Sequence, residues 1–152
     1  MLAAQLRRHL NLPLLVVQTC GGESFLRQAE RFGGAIFVDA RLPIMQGLNL
    51  LAHARLNISG RRHPGIMAAA GGTPCIFMQA NSHKCRALQE LPGEPEPAVF
   101  TDIPDPTAIS AICERAVCLI RADSSAARER RRQAACRLAH LADMLPGLLE
   151  AR

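Results

Sequence analysis

Apolar residues recur along this chain in two alternating rhythms. Leu2, Leu6 and Leu10, with Ala3, mark one face of a helix over 2–10, with Arg7 and Arg8 outside it. Residues 14–17 are a continuous apolar run, as in a strand covered on both faces. Gly21-Gly22 breaks that run, and a helix over 23–32 follows with Phe25, Leu26 and Ala29 inward. Residues 35–38 form a second apolar strand closed by Asp39, and a helix over 48–56 comes next. The Gly-rich stretch 57–73 reads mostly as loop, with a turn of helix at 66–70. Residues 74–78 and 98–101 read as two more strands, flanking a helix over 82–91 and a Pro-rich loop over 92–97. Thr107 is a candidate cap for a helix that buries Ile109, Ile112, Cys113, Ala116, Leu119 and Ile120. Asp123-Ser124-Ser125 either interrupts this helix or is a solvated stretch of a longer one. A last helix over 126–144 is stopped by Pro146-Gly147.

This alternation implies a parallel sheet with helices on both faces. In such folds the chemistry gathers at the carboxyl ends of the strands, where Asp39 stands. No Gly-rich phosphate loop is present.

The 152 residues are enough for one core without disulfides or metal. No apolar run approaches the roughly 18 residues of a membrane span, and no signal-peptide pattern opens the chain. A cytoplasmic protein with no membrane partner is the expectation. The charge of +5 rests on 17 arginines and one lysine. Residues 1–105 carry +2 and residues 106–152 carry +3, with +4 inside 128–137 alone. Arg128, Arg130, Arg131 and Arg132 are therefore the candidate weak contacts to nucleic-acid phosphates, against the plainer reading of a solvated helix face. With no Trp or Tyr, stacking bases on an aromatic platform is nearly excluded. Specific DNA reading is not expected. The six cysteines form no CxxC and read as small buried hydrophobes, and no two of the five histidines share metal spacing on one helix face.

The segment 36–48 resembles the phosphorylation-site segment of a response-regulator receiver domain. It has an apolar strand ending in an aspartate, with Pro four and Gly eight residues later: Asp39, Pro43 and Gly47. Residues 21–26 resemble the opening of the second receiver helix, and 74–78 the fourth receiver strand. Residues 137–149 are similar to the linker and first helix of LuxR-type output domains.

The resemblance implies a flavodoxin-like parallel sheet over 1–122, with a helical linker and output remnant over 123–152. It implies a non-enzymatic two-component module that accepts a phosphoryl group on Asp39 from a histidine kinase. Homodimerisation through the last receiver helix or an exposed sheet edge is a further implied use. Aligned from Asp39, the first receiver strand and its acidic pair are missing, which either leaves a gap or forces strand 14–17 against 35–38. Gln79 stands where the switch Ser/Thr is expected, and Asp102 replaces the lysine. Mg²⁺ would then have only Asp39 and the Arg41 backbone carbonyl, a thin set for an ion that prefers six oxygens. A degenerate receiver, or a phosphorylation-independent interaction module, is what these departures imply.

Overall fold

The computed structural model describes residues 2–18, 35–38, 41–79, 99–101 and 104–150, without the side chains of 62, 79, 99–101 and 138–150. The helices expected over 23–32 and 82–91 and the loop over 92–97 lie outside these residues, as do Asp39 and Asp102, Cys20 and Cys85, and His83.

The described elements are α1 (Leu2–Leu10), β1 (Leu15–Val17), β2 (Ile36–Val38), α2 (Ile44–His53), β3 (Asn57–Ser59), α3 (Arg62–Ala70), β4 (Cys75–Gln79), β5 (Val99–Thr101), α4 (Pro106–Ala122) and α5 (Ser125–Glu150). The chain is mixed α/β, and every described strand pair is parallel. The strands form two small sheets, β1-β2 and β3-β4-β5, instead of the single sheet expected. β1 and β2 pair directly, Leu15 opposite Ile36 and Val17 opposite Val38, so no vacancy separates them. The neighbours of β4 are β3 and β5, with Gln79 opposite Thr101.

The strand β3 is the element that the sequence pattern misses. Asn57-Ile58-Ser59 offers one β-branched apolar residue between two polar ones, too short a signal for a strand. Its place is set by β4, through ladder bonds that begin with the Asn57 N–H donating to Pro74 O at 2.9 Å. Helix α3 is longer than the single turn expected. Pro64 sits in its first turn, where no intrahelical donor is needed. Gly65 lets α3 lie against the Phe77 ring, which a Cβ would overlap.

Helix α2 starts four residues earlier than its apolar face. Ile44 and Met45 are 69% and 70% exposed, so they add nothing to the amphipathic pattern. Pro43, extended at the N-cap, launches the helix. The cap of α4 is Asp105 and not Thr107: its carboxylate accepts from the Ala108 N–H at 2.7 Å, with Pro106 at the first helical position. The chain does break after α4. Asp123 is extended, and Ser124 Oγ accepts from the Ala127 N–H at 3.2 Å to start α5. That helix runs past Pro146-Gly147 to Glu150.

The core joins Leu6 of α1 to Ile76 and Met78 of β4 and to Ile109, Ile112, Cys113, Ala116 and Leu119 of α4. The α4 stripe is thus core except at Ile120, which is only half-buried. Burial of Cys113, and Glu114 beside it, push its thiol pKa up, so it stays a neutral packing group. Cys75 is half-buried, whereas Cys118 and Cys136 are exposed, contrary to the expectation of burial.

Candidate functional site

The resembled phosphorylation segment occupies the carboxyl end of β2 and the start of α2. The β1-β2 ladder holds it: Ile36 N–H donates to Leu14 O at 2.8 Å, and Gln18 N–H donates to Val38 O at 2.9 Å. Asp39 follows the last strand residue directly and lies outside the described residues. Arg41 and Pro43 are exposed, and Gly47 is half-buried in α2, where a Cβ would make ordinary contact with Leu42.

The two other residues assigned to this site close other strands. Gln79 is the last residue of β4, its side chain outside the described set, and Asp102 follows the last residue of β5. Register puts the ends of β4 and β5 side by side. Asp39 follows a strand of the other sheet. Register therefore brings the carboxyl ends of β4 and β5 together, and among the described residues β2 pairs with neither strand. Among the described residues, no cluster of three or more His, Cys, Asp or Glu forms a metal site.

The basic run of α5 is used inside the fold. Asp123 accepts from Arg128 Nε at 2.9 Å and pairs with its Nη2 at 2.8 Å; it also accepts from Arg131 Nη1 at 3.0 Å. The Asp123 carboxylate and the Arg131 guanidinium are almost fully buried. The guanidinium groups then reach backbone carbonyls that end two helices. Arg128 Nη2 donates to Ala54 O at 2.9 Å, past the end of α2. Arg131 Nη1 donates to Gly72 O at 3.3 Å and Arg132 Nε to Gly71 O at 3.0 Å, past the end of α3.

Helix C-termini carry unsatisfied carbonyls and partial negative charge, which cations offset. Thr73, fully buried, adds to this: its hydroxyl lies 2.9 Å from Leu51 O and 3.0 Å from Ala52 O. Gly72, at φ +82, takes the left-handed turn out of α3, and a Cβ there would overlap the Arg128 carbonyl. Of the four arginines assigned to nucleic acid, Arg128, Arg131 and Arg132 face these carbonyls. Arg130 is exposed. The signal for this clamp was present as one Asp followed by Arg at +5 and +8. The burial that gives it meaning was not readable.

A cavity of about 1240 Å³ is lined by residues of both sheets. Residues 12–18, which contain β1, and 53–61, which contain β3, form its walls. Leu2, Leu6 and Leu10 of α1 and Leu50 and Leu51 of α2 also line it. Ile120 of α4, left over from the core stripe, reaches it too.

No helix among the described residues is long and apolar enough to cross a membrane. Neither a protein-family match, nor a curated relative, nor a similar solved structure was found for this chain.

Proposed function

We propose that the chain is a receiver-like signalling module of the flavodoxin-like class, in which Asp39 is the nominal acceptor of a phosphoryl group from a histidine kinase. The single observation that supports this reading is the parallel β1-β2 ladder. It fixes the carboxyl end of Ile36–Val38 one residue before Asp39, and α2 begins just beyond, at Ile44. Reactive groups on parallel sheets occupy that position. In the step, an Asp39 carboxylate oxygen attacks phosphorus of the kinase's phosphohistidine, the P–N bond breaks, and the imidazole nitrogen departs with the bonding pair. Mg²⁺ fits poorly: Asp39 and the Arg41 carbonyl are two of the six oxygens that the ion prefers, so no part of the step is assigned to it. Incubation with acetyl phosphate, with and without Mg²⁺, followed by intact-mass measurement is the test. The expected result is an acid-labile phosphoryl adduct that Asp39→Asn abolishes. Its absence under both conditions overturns the reading.

A second reading, a phosphorylation-independent interaction module working in the cytoplasm, is favoured by a separate observation. Leu15 and Ile36, paired opposite each other on a sheet of two described strands, are 39% and 56% exposed. Contiguous apolar exposure and open strand edges mark pairing surfaces. Sedimentation equilibrium should show concentration-dependent self-association that is unchanged in Asp39→Asn. A monomer at all concentrations overturns it.

A further inference from the structure

The cavity lined by both sheets has the lining of a missing strand position. β1, whose one side is taken by β2, lines it, and so does β3, whose one side is taken by β4. Among the described residues, none of β2 or β4 lines it. In a parallel ladder the N–H and C=O of one residue point to the same side, and successive residues alternate. The bonds of Ile36 to Leu14 and of Gln18 to Val38 turn the even positions of β1 toward β2. The backbone groups of Leu15 and Val17 consequently point into the cavity. By the same alternation, the bond from Asn57 to Pro74 turns Ile58 into it from β3. Two rows of backbone donors and acceptors thus face one space.

The volume exceeds the roughly 300–1,000 Å³ of ordinary small-molecule pockets. Strand β1 with its flanks runs along one wall for seven residues, room for a strand of about five at ~3.3 Å each. Leucines of α1 and α2 line the space as well, so the occupant must be apolar along its length, like a strand of a doubly covered sheet. Among the described residues, the charged side chains that line it are Arg7, Arg55 and Arg61, and His53 lines it as well. Arg7 and Arg55 are exposed.

We propose that this cleft receives one extended segment of a partner polypeptide, apolar in its middle and acidic at its flanks, which bonds to β1 and β3 and joins the two sheets into one. Strand addition gives affinity through main-chain bonds and specificity through side-chain pockets. The inference rests on the interaction reading and is independent of Asp39.

The test titrates the full chain with the peptide Ac-Glu-Val-Ile-Val-Val-Ile-Glu-NH2 and follows amide hydrogen exchange. The expected result is saturable one-to-one binding with new protection at the Leu15, Val17 and Ile58 amides together. Binding should weaken about tenfold or more when Arg replaces both Glu in the peptide. It should weaken similarly in Val17→Pro, which removes a cleft-facing donor and leaves the ladder donor of Gln18 in place. Asp39→Asn should bind like the unsubstituted chain. No binding, protection along one wall only, or displacement of the peptide by decanoate without backbone protection would overturn the proposal. Self-association that persists in those cases would leave the interaction reading standing and remove the cleft alone.

Discussion

The two sheets of this molecule are built from similar parallel ladders and are supported very differently. The β3-β4-β5 sheet lies under α4, with Ile76, Phe77 and Ile112 essentially inaccessible. The helices α2 and α3 beside it end in carbonyls held by Thr73 and by three arginines of α5. The β1-β2 sheet has two strands of three residues each, and both begin with an exposed apolar side chain. Among the described residues, no strand of the β3-β4-β5 sheet begins with an exposed large hydrophobic side chain. Ladder bonds of equal length can therefore stand in surroundings of very different strength. Stability follows what covers the ladder, not the ladder itself.

This contrast can be broken first at Asp123. Its carboxylate is the common anion for Arg128 and Arg131, and removing it strands a buried guanidinium. Asp123→Ala should cost about 3–5 kcal/mol of unfolding free energy, read by urea denaturation. A cost under ~1 kcal/mol would show that the clamp does not hold the larger sheet. A smaller effect sharpens the comparison between sheets. Ile112→Ala removes a fully buried side chain of α4 and should cost about 2–5 kcal/mol. Ile36→Ala, on the open sheet, should change stability by less than ~1 kcal/mol. The smallest effect falls within the basic run itself: Arg130→Ala, at an exposed position, should stay within about 0.5 kcal/mol, while Arg131→Ala should resemble the loss of Asp123.

Much of the element order was legible because burial writes itself into apolar periodicity. The runs at 14–17, 35–38, 74–78 and 98–101 all contain strands, and the i, i+3, i+4 stripe of α4 is the core. The short strand β3 was not legible, since its position comes from its neighbour β4 and not from its own three residues. Nor was the sheet division, because pairing partners are chosen by tertiary packing. The phosphorylation segment was visible in Asp39, Pro43 and Gly47, but its relation to Gln79 and Asp102 depends on which strands pair. For the arginine run, charge was legible and direction was not. Charge density alone suggests an outward face, and the helix ends at Ala54, Gly71 and Gly72 explain why three side chains reach back to the fold, Arg131 almost fully buried and Arg132 still exposed.

The most direct test of unequal support compares two amides with nearly identical bonds. Ile36 N–H donates to Leu14 O at 2.8 Å in the open sheet, and Asn57 N–H donates to Pro74 O at 2.9 Å in the covered one. Native-state hydrogen exchange across low urea concentrations separates local from global opening. Asn57 should exchange only as the whole chain unfolds. Ile36 should exchange through a local opening at least about tenfold faster, equivalent to roughly 1.4 kcal/mol. Equal protection of the two amides, with the same urea dependence, would contradict it.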